Sequence, residues 1–375
     1  MMIMNPFIVK DYAGPEFFCD RIDETKRLLN AIENQRNLTL SSVRKMGKTG
    51  LILHVFNQLK STKEIDAIYF DIYFTSSLSG FIDKFGTSIL SIEESLSDRI
   101  KRKINNFIKS IRPTITYDNL TGSPVFSFHL ENESSGIRTL EDIFGFLNER
   151  SLEKPIIIAI DEFQQIANYA ENNVEALLRT NIQKLQNVNF IFSGSDDRLL
   201  INMFTNAKKP FYQSTEFMHL EEIPEGYYTQ FIKDKFNDAR IIIEDEAARE
   251  ILNMTRRHTY YVQFLCNRLY GSGYETITKE RVRQIYSDIL TENEVYYSEY
   301  RDLLTKQQWN LMIALAKEEG VGKITASEFI KKHDLSNSAT VRRGIQSLMD
   351  KKMIYKKQSK YYVYDVFFAK WLQRL

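Results

Sequence analysis

The stretch SSVRKMGKTG, residues 41–50, constrains the fold of this chain more than any other feature. It follows the short apolar run NLTLSS and precedes GLILHVFNQLK, in which apolar residues recur with helical spacing. A glycine-lysine-threonine triplet between a strand and a helix is typical of a loop that holds phosphate groups with its backbone N–H groups. The full pattern, G-x-x-x-x-G-K-[ST], has a glycine where this chain has Ser42, so the match is incomplete.

A second motif strengthens the first. The run KPIIIAIDEF, residues 154–163, has the composition of a buried parallel strand and ends in Asp161 and Glu162. A loop of this type needs such a carboxylate on a neighbouring strand, beside the Mg²⁺ ion that the loop threonine binds. We therefore predict that Thr49 and Asp161 hold Mg²⁺ and that Glu162 polarises the attacking water.

The phosphate loop itself is predicted to bind ATP. Lys48 would bridge the β- and γ-phosphates, and the backbone N–H groups at the start of the following helix would hold the phosphate oxygens. Serine at position 42 gives the turn less backbone freedom than glycine would, but Lys48 and the backbone N–H groups remain. The predicted nucleotide contacts in the loop are Arg44, Met46, Gly47, Lys48, Thr49 and Gly50.

The pattern of apolar runs predicts the fold class. Strands are expected within residues 37–42, 65–74, 154–163, 187–195 and 214–223, separated by helical segments. This order indicates an α/β core with a five-stranded parallel sheet. Residues 75–140 form an insertion, with a helical pattern followed by a hairpin within residues 114–130, to which we assign no role. Amphipathic helices are expected from residue 224 to about residue 303.

The C-terminal residues 304–375 read as three helices and a two-stranded wing around Gln358 and Ser359, which is a winged helix-turn-helix. Thr325 is expected to cap the second helix. Residues 336–375 carry nine basic residues against two acidic ones, a net charge of +7. Residues predicted to contact DNA phosphates are Arg342, Arg343, Lys352, Lys356 and Lys357. The alternative is that this domain packs on the rest of the protein or binds another protein.

The overall composition is typical of a globular protein, and the net charge indicates no particular kind of partner. The 375 residues are 43% hydrophobic and 26% charged, with a net charge of +1. The two cysteines form no C-x-x-C pair, the five histidines form no H-E-x-x-H, and SGSDD lacks the G-x-S-x-G elbow of serine hydrolases. We expect a cytoplasmic protein with no membrane segment.

These motifs resemble a known family. The segments RKMGKTGLILHVF, IIIAIDEFQQI, LLRTNIQKLQNVNFIFSGS and PFYQSTEFMHLEEI, with the tail SATVRRGIQSLMDKKMIYKK, are similar to the archaeal-type ATPases of the AAA+/STAND-like P-loop group, relatives of origin-recognition ATPases. The resemblance implies an AAA+-like ATPase core at residues 1–223, a helical lid at 224–303 and a winged helix at 304–375. ATP and Mg²⁺ are the implied cofactors.

The resemblance also implies roles for single residues. Arg21, in FFCDR, matches an element near the adenine, although Asp20 or Asp23 could instead cap a helix there. Ser195, rather than Ser193, corresponds to the position that senses the γ-phosphate; the alternative is a helix cap with Asp196 and Asp197.

Two arginine roles are less well defined by this resemblance. Arg179 is a candidate arginine finger acting on a neighbouring copy, or a solvated helix residue. For the sensor arginine at the start of a lid helix, the segment TRRHTYYVQ offers Arg256, Arg257 and His258 as candidates. The glycine that is usual there in the family is missing.

Three function classes stay open. The first is an ATPase whose nucleotide state controls binding to double-stranded DNA. The second is a STAND-type signalling or defence switch, in which ATP controls assembly with further copies of the chain or with a protein partner. The third is a nucleotide-binding scaffold with little turnover.

Overall fold

The computed structural model describes residues 5–62, 64–90, 114–117, 124–128, 133–195 and 197–375. Within these residues the chain forms two compact units. The first unit is Asp11–Glu221, and the second combines residues 5–10 with Glu222–Leu375.

The first unit is built on a parallel sheet. In the described part of the chain its five strands are β1 (Leu38–Ser41), β2 (Asp66–Asp71), β5 (Ile156–Asp161), β6 (Val188–Gly194) and β7 (Glu216–His219). They lie in the order β2-β5-β6-β1-β7, and every pairing is parallel. The predicted five-stranded parallel core is therefore confirmed. Because all strands run the same way, their carboxyl ends meet at one edge of the sheet.

Helices cover both faces of this sheet. On one face α1 (Ile22–Glu33) and α2 (Lys48–Thr62) pack on apolar side chains of β1, β5 and β7. On the other face lie α3 (Leu78–Leu90), α4 (Glu133–Ser151), α5 (Val174–Ile182) and α6 (Asp197–Thr205). The near-continuous aliphatic run of β5 follows from this arrangement, since all six of its residues are buried between two helical layers.

The insertion between β2 and β5 is partly described. Its predicted hairpin is confirmed by β3 (Thr114–Tyr117), which pairs antiparallel with β4 (Pro124–Ser127). The helical pattern predicted for the first part is confirmed as far as Leu90. The rest of that pattern and the hairpin turn, residues 91–113 and 118–123, lie outside the described residues.

The second unit begins with the predicted helical segment. Its helices are α7 (Glu225–Asp238), α8 (Asp245–Met254), α9 (Thr259–Tyr270), α10 (Lys279–Glu292) and α11 (Glu294–Asp302). Two short strands, β8 (Ile242–Ile243) and β9 (Thr276–Ile277), pair in parallel between them.

The N-terminal segment departs from the expected domain boundary. We expected residues 1–223 to form one core, whereas residues 5–10 belong to the second unit. Phe7 is fully buried there against Phe236, and Asn267 donates to the Phe7 carbonyl at 2.7 Å. The buried Phe7 ring and this hydrogen bond hold residues 5–10 in the second unit, although the chain continues from them directly into the first unit.

The C-terminal residues form a winged helix, as predicted. It contains α12 (Lys306–Glu318), α13 (Ser327–Lys332), α14 (Ser338–Asp350), the hairpin of β10 (Ile354–Lys357) and β11 (Lys360–Val363), and α15 (Val366–Leu372).

The capping of these helices differs from the expectation in one place. The predicted cap by Thr325 is wrong, because α13 begins after Ala326 without a side-chain cap. Threonine capping occurs instead at α12, where Thr305 and Gln308 form a reciprocal capping box. None of the helices in the described ranges is long and apolar enough to cross a membrane.

Candidate nucleotide-binding site

The loop between β1 and α2 is shaped by one glycine rather than two. Gly47 has φ of 97°, a conformation that side-chain-bearing residues rarely adopt. Ser42, at the position of the expected first glycine, has no positive φ and is fully buried. A glycine is therefore not required at position 42, which is the steric reason that the incomplete motif still forms the loop.

Lys48 is held inside this loop. Its Nζ donates to the Ser42 carbonyl at 3.2 Å and lies 3.3 Å from the Ser42 Oγ, and the residue is only 6% exposed. Since α2 begins at Lys48, the backbone N–H groups of its first turn lie beside this ammonium group. The loop thus gathers positive charge and N–H donors at one point, which is what a chain of phosphates requires.

The two predicted Mg²⁺ ligands lie together. Thr49 Oγ1 donates to Asp161 Oδ2 at 2.8 Å, across the gap between α2 and the end of β5. Asp161 Oδ1 also accepts the backbone N–H of Glu162 at 3.0 Å. Sequence reasoning missed a third partner, Tyr69 on β2, whose hydroxyl donates to Asp161 Oδ2 at 2.9 Å. Burial, followed by the charge of Asp161, raises the pKa of Tyr69, so this hydroxyl remains a donor.

Among the described residues, two side chains donate hydrogen bonds to the Glu162 carboxylate. Ser195, at the end of β6, directs its Oγ at both carboxylate oxygens of Glu162, at 2.9 and 2.8 Å. Gln164 also donates to Glu162. Glu162 itself has φ of 55°, in the left-handed region that carries strain in non-glycine residues and is frequent at functional sites. Ser193 is fully buried, and no hydrogen bond joins its hydroxyl to the described residues, whereas Ser195 donates to Glu162.

Arg44 joins the loop to the carboxyl end of the sheet. Its Nε donates to Ser195 Oγ at 3.2 Å, and its guanidinium lies 5.3 Å from the centre of the Tyr73 ring. Nearby, Asp71 ends β2 in register with Asp161. Burial, and then the charges of Asp161 and Glu162, raise the pKa of Asp71, since three carboxylates converge at this edge.

Arg21 lies against the phosphate loop. Its guanidinium donates to the Met46 carbonyl at 3.3 Å and pairs with Glu24 at 2.8 Å, and the residue is 3% exposed. The alternative of a helix cap by Asp20 or Asp23 does not hold, because α1 begins after Arg21 without a side-chain cap. Gly50 lies in the first turn of α2, where an added Cβ would be 3.9 Å from the Phe18 ring.

Arg179 is the predicted site residue that these contacts do not include. It lies on α5, and when the Gln183 amide is oriented with its oxygen toward the guanidinium, Arg179 donates to it at 2.7 and 2.9 Å. Burial lowers the pKa of Arg179. Its role as an arginine finger stays a prediction.

The candidate lid sensors lie at the bend between α8 and α9. Arg256 and Arg257 have φ of 53° and 54°. Arg256 donates to the Val363 carbonyl of the wing at 3.3 Å, and His258 is 3% exposed. A nucleotide-sensing role for one of these three residues stays a prediction.

The donor set fits ATP and Mg²⁺. Thr49 and Asp161 offer a hydroxyl and a carboxylate oxygen, the hard ligands that Mg²⁺ prefers together with phosphate oxygens. The Lys48 ammonium and the start of α2 suit the phosphates themselves.

The predicted DNA-contact residues lie on one helix and the wing. Arg342 and Arg343 on α14, Lys352 after it and Lys356 on β10 are exposed, while Val341, Ile345 and Leu348 face inward as predicted. Lys357 differs, because its ammonium is 2.5 Å from the Glu222 carboxylate. Although burial opposes it, this ion pair lowers the pKa of Glu222. Within the described residues, the Lys357 ammonium is thus paired with a carboxylate of the second unit, unlike the other predicted DNA contacts.

Comparison with known proteins agrees with this geometry. Residues 18–255 match the model of an ATPase domain predominantly from Archaea, and residues 295–374 match that of a probable winged helix domain. No curated protein matches the chain.

Solved structures share the fold over nearly the whole chain. A Walker-type ATPase of Pyrococcus abyssi has a TM-score of 0.69 at 16% identity, covering 98% of this chain and 99% of its own. The Aeropyrum pernix ORC2 protein, in ADPNP–ADP complexes, has a TM-score of 0.57 at 14% identity, covering 100% and 98%. The Aeropyrum pernix ORC1 protein, in complex with DNA, has a TM-score of 0.53 at 11% identity, covering 99% and 96%. The family model spans more than half of the chain, and this chain therefore belongs to the family of ATPase domains found predominantly in Archaea.

Proposed function

We propose that this protein binds ATP with Mg²⁺ and hydrolyses it, and that its nucleotide state controls DNA binding by the winged helix or assembly. The observation that carries the proposal is the hydrogen bond between Thr49 and Asp161, at 2.8 Å, beside the loop-bound Lys48. Two motifs far apart in sequence meet there in the arrangement that phosphoryl transfer requires.

The roles of the residues follow from their chemistry. Lys48 would neutralise the β- and γ-phosphates, and Arg44 would add charge beside Ser195. Bound Mg²⁺ would supply charge neutralisation at the phosphate oxygens, held by Thr49 and Asp161. Glu162 would orient the attacking water and accept its proton, while Ser195 holds its carboxylate in position.

DNA contact is supported by the exposed basic residues of α14 and the wing, and by the fold shared with an ORC1 protein solved with DNA. A specific observation also favours the switch alternative. Phe367 of α15 packs against Tyr261 and Tyr286, with ring centres 4.9 and 5.3 Å apart, so the winged helix is bound to the preceding helices. That packing suits the switch, in which the winged helix serves contacts within the protein or with a protein partner.

Lys48→Ala tests the nucleotide site. We expect loss of ATP binding, because no other side chain in the loop places an ammonium against the Ser42 carbonyl. The measurement is a titration with labelled ATP, with Lys60→Ala at the end of α2 as the control for loss of a lysine. Unchanged binding by Lys48→Ala would overturn the proposal.

Variants of Asp161 and Glu162 should separate nucleotide binding from ATP hydrolysis. Asp161→Asn should weaken Mg²⁺-dependent binding, whereas Glu162→Gln should retain ATP and slow hydrolysis by about 100-fold or more. Nucleotide binding and phosphate release, measured on both variants, check this division. Equal loss of binding in both would mean that the roles are assigned wrongly, and tight binding without turnover in the unaltered protein would favour the scaffold class.

A further inference from the structure

The carboxylate of Asp161 accepts hydrogen bonds from α2, from β2 and from the neighbouring backbone. Its Oδ2 accepts from Thr49 on α2 and from the phenol of Tyr69 on β2, at 2.8 and 2.9 Å. Its Oδ1 accepts the N–H of Glu162 at 3.0 Å. An ionised carboxylate has about four lone-pair positions, and donors among the described residues occupy three of them.

The register of the sheet explains how a tyrosine reaches this carboxylate. Tyr69 on β2 pairs with Ala159 on β5, two residues before Asp161. Side chains two apart in a strand share a face, and on this face Tyr69 and Ala159 pack in the same apolar cluster as Leu51 of α2. Because Ala159 carries only a methyl group, the Tyr69 ring can extend past it toward Asp161.

We infer that Tyr69 is a positioning residue for Mg²⁺-nucleotide binding: it fixes the rotation of the Asp161 carboxylate through Oδ2. This inference rests on the proposed function. A hydroxyl that binds a metal ion through a lone pair keeps its proton, so the Thr49 hydroxyl and the Tyr69 phenol can both hold Oδ2 while Thr49 binds Mg²⁺. Removing a donor that orients a metal ligand typically lowers metal affinity by about 10- to 100-fold.

The test is Tyr69→Phe, which removes one oxygen and keeps the ring. Binding of labelled ADP and ATP is titrated with Mg²⁺, and again in EDTA. We expect the Mg²⁺ concentration for half-maximal binding to rise by about tenfold, with unchanged affinity in EDTA. Excess Mg²⁺ should restore binding.

Tyr169→Phe is the matched control. Tyr169 is buried in the first unit, whereas Tyr69 is partly buried, and the Tyr169 hydroxyl is 2.5 Å from Thr75 Oγ1 instead of Asp161. Thermal unfolding of both variants reports the cost of losing a buried hydroxyl, and only Tyr69→Phe should alter the Mg²⁺ requirement.

The outcomes distinguish the inference from the proposed function. A Mg²⁺ requirement for Tyr69→Phe equal to that of the unaltered protein would overturn the inference and leave the proposed function standing. A loss of affinity that is the same in Mg²⁺ and in EDTA would also overturn it, since the role would then be structural. No nucleotide binding by the unaltered protein at any Mg²⁺ concentration would overturn both.

Discussion

At the scale of single residues, the two ends of the phosphate loop meet different steric requirements. Gly47 has φ of 97° and turns the chain into α2, whereas Ser42 has no positive φ and offers its carbonyl to Lys48. The motif position that this chain has lost is thus one whose backbone any residue can adopt. The position that it has kept is one where a side chain would be strained.

This contrast gives a paired prediction. Gly47→Ala should lower ATP affinity by about tenfold or more, because a side chain in that region of φ costs about 1–3 kcal/mol. Ser42→Gly, which restores the full motif, should change affinity by less than about threefold, since the carbonyl that accepts from Lys48 remains. Isothermal titration with ATP and Mg²⁺ measures both. A large gain from Ser42→Gly would mean that the serine carries a conformational cost not visible in its φ.

At the scale of elements, the site depends on strand ends brought to one edge. The ends of β2, β5 and β6 carry Asp71, Asp161 and Ser195, from three separate parts of the sequence. Parallel order makes these ends neighbours, and α2 begins at the same edge of the sheet, after the carboxyl end of β1. In the second unit an ion pair between Lys357 and Glu222 joins the wing to the start of the helical segment. This ion pair holds the hairpin in addition to the turn between its two strands.

The wing turn allows a prediction about stability. Gln358 and Ser359, which connect β10 and β11, have φ of 46° and 65°, the left-handed pair of a type I′ turn. Ser359→Gly should stabilise the protein by roughly 0.5–1 kcal/mol, because glycine adopts this φ without strain.

The control for that variant is the same substitution in a helix. Ser298→Gly, at an exposed site in α11, should destabilise by about 0.5 kcal/mol. Urea unfolding of the two variants measures the difference. Opposite signs are expected, and a loss of stability in both would contradict the strain assigned to the turn.

At the scale of the whole molecule, charge is concentrated at one end of a nearly neutral chain. Residues 336–375 have a net charge of +7 in a protein of net charge +1. Within that segment Lys357 and Lys370 form ion pairs with Glu222 and Glu319, so part of this charge is neutralised inside the second unit. The exposed basic residues of the segment can still face a phosphate backbone, among them Arg342 and Arg343 on α14, Lys352 after it and Lys356 on β10.

If the winged helix binds DNA, its salt dependence should follow those residues. Replacing Arg342, Arg343 and Lys356 by glutamine should weaken binding to all sequences alike and flatten the log-affinity against log-salt slope by up to about 3. ATP hydrolysis without DNA should persist. Lys357→Gln is the comparison, and it should change the slope less because Lys357 already pairs with Glu222. No DNA binding at low salt, with ATP-dependent assembly in light scattering, would favour the switch.

Much of this architecture could be predicted from local patterns. The five strands, the hairpin of the insertion and the winged helix each follow from apolar periodicity within a short window. The contacts of Tyr69 and Gln164 could not be predicted, because each depends on strand register or on a side chain near an irregular turn. The same limit applies to Lys357, whose basic character indicated a phosphate contact while its actual partner is 135 residues away.

The sequence by itself determined the chemistry of this protein: the loop lysine, the threonine and the acid pair are set by residue type and by position relative to a strand or helix end. Only the tertiary structure decided which of these groups meet. Asp161 lies 2.8 Å from Thr49 across 112 positions of sequence, and Ser195 turns to Glu162 rather than to solvent. Local periodicity fixes an element's type and face, but the meeting of distant side chains depends on strand order, register and burial, which act only once the chain has packed.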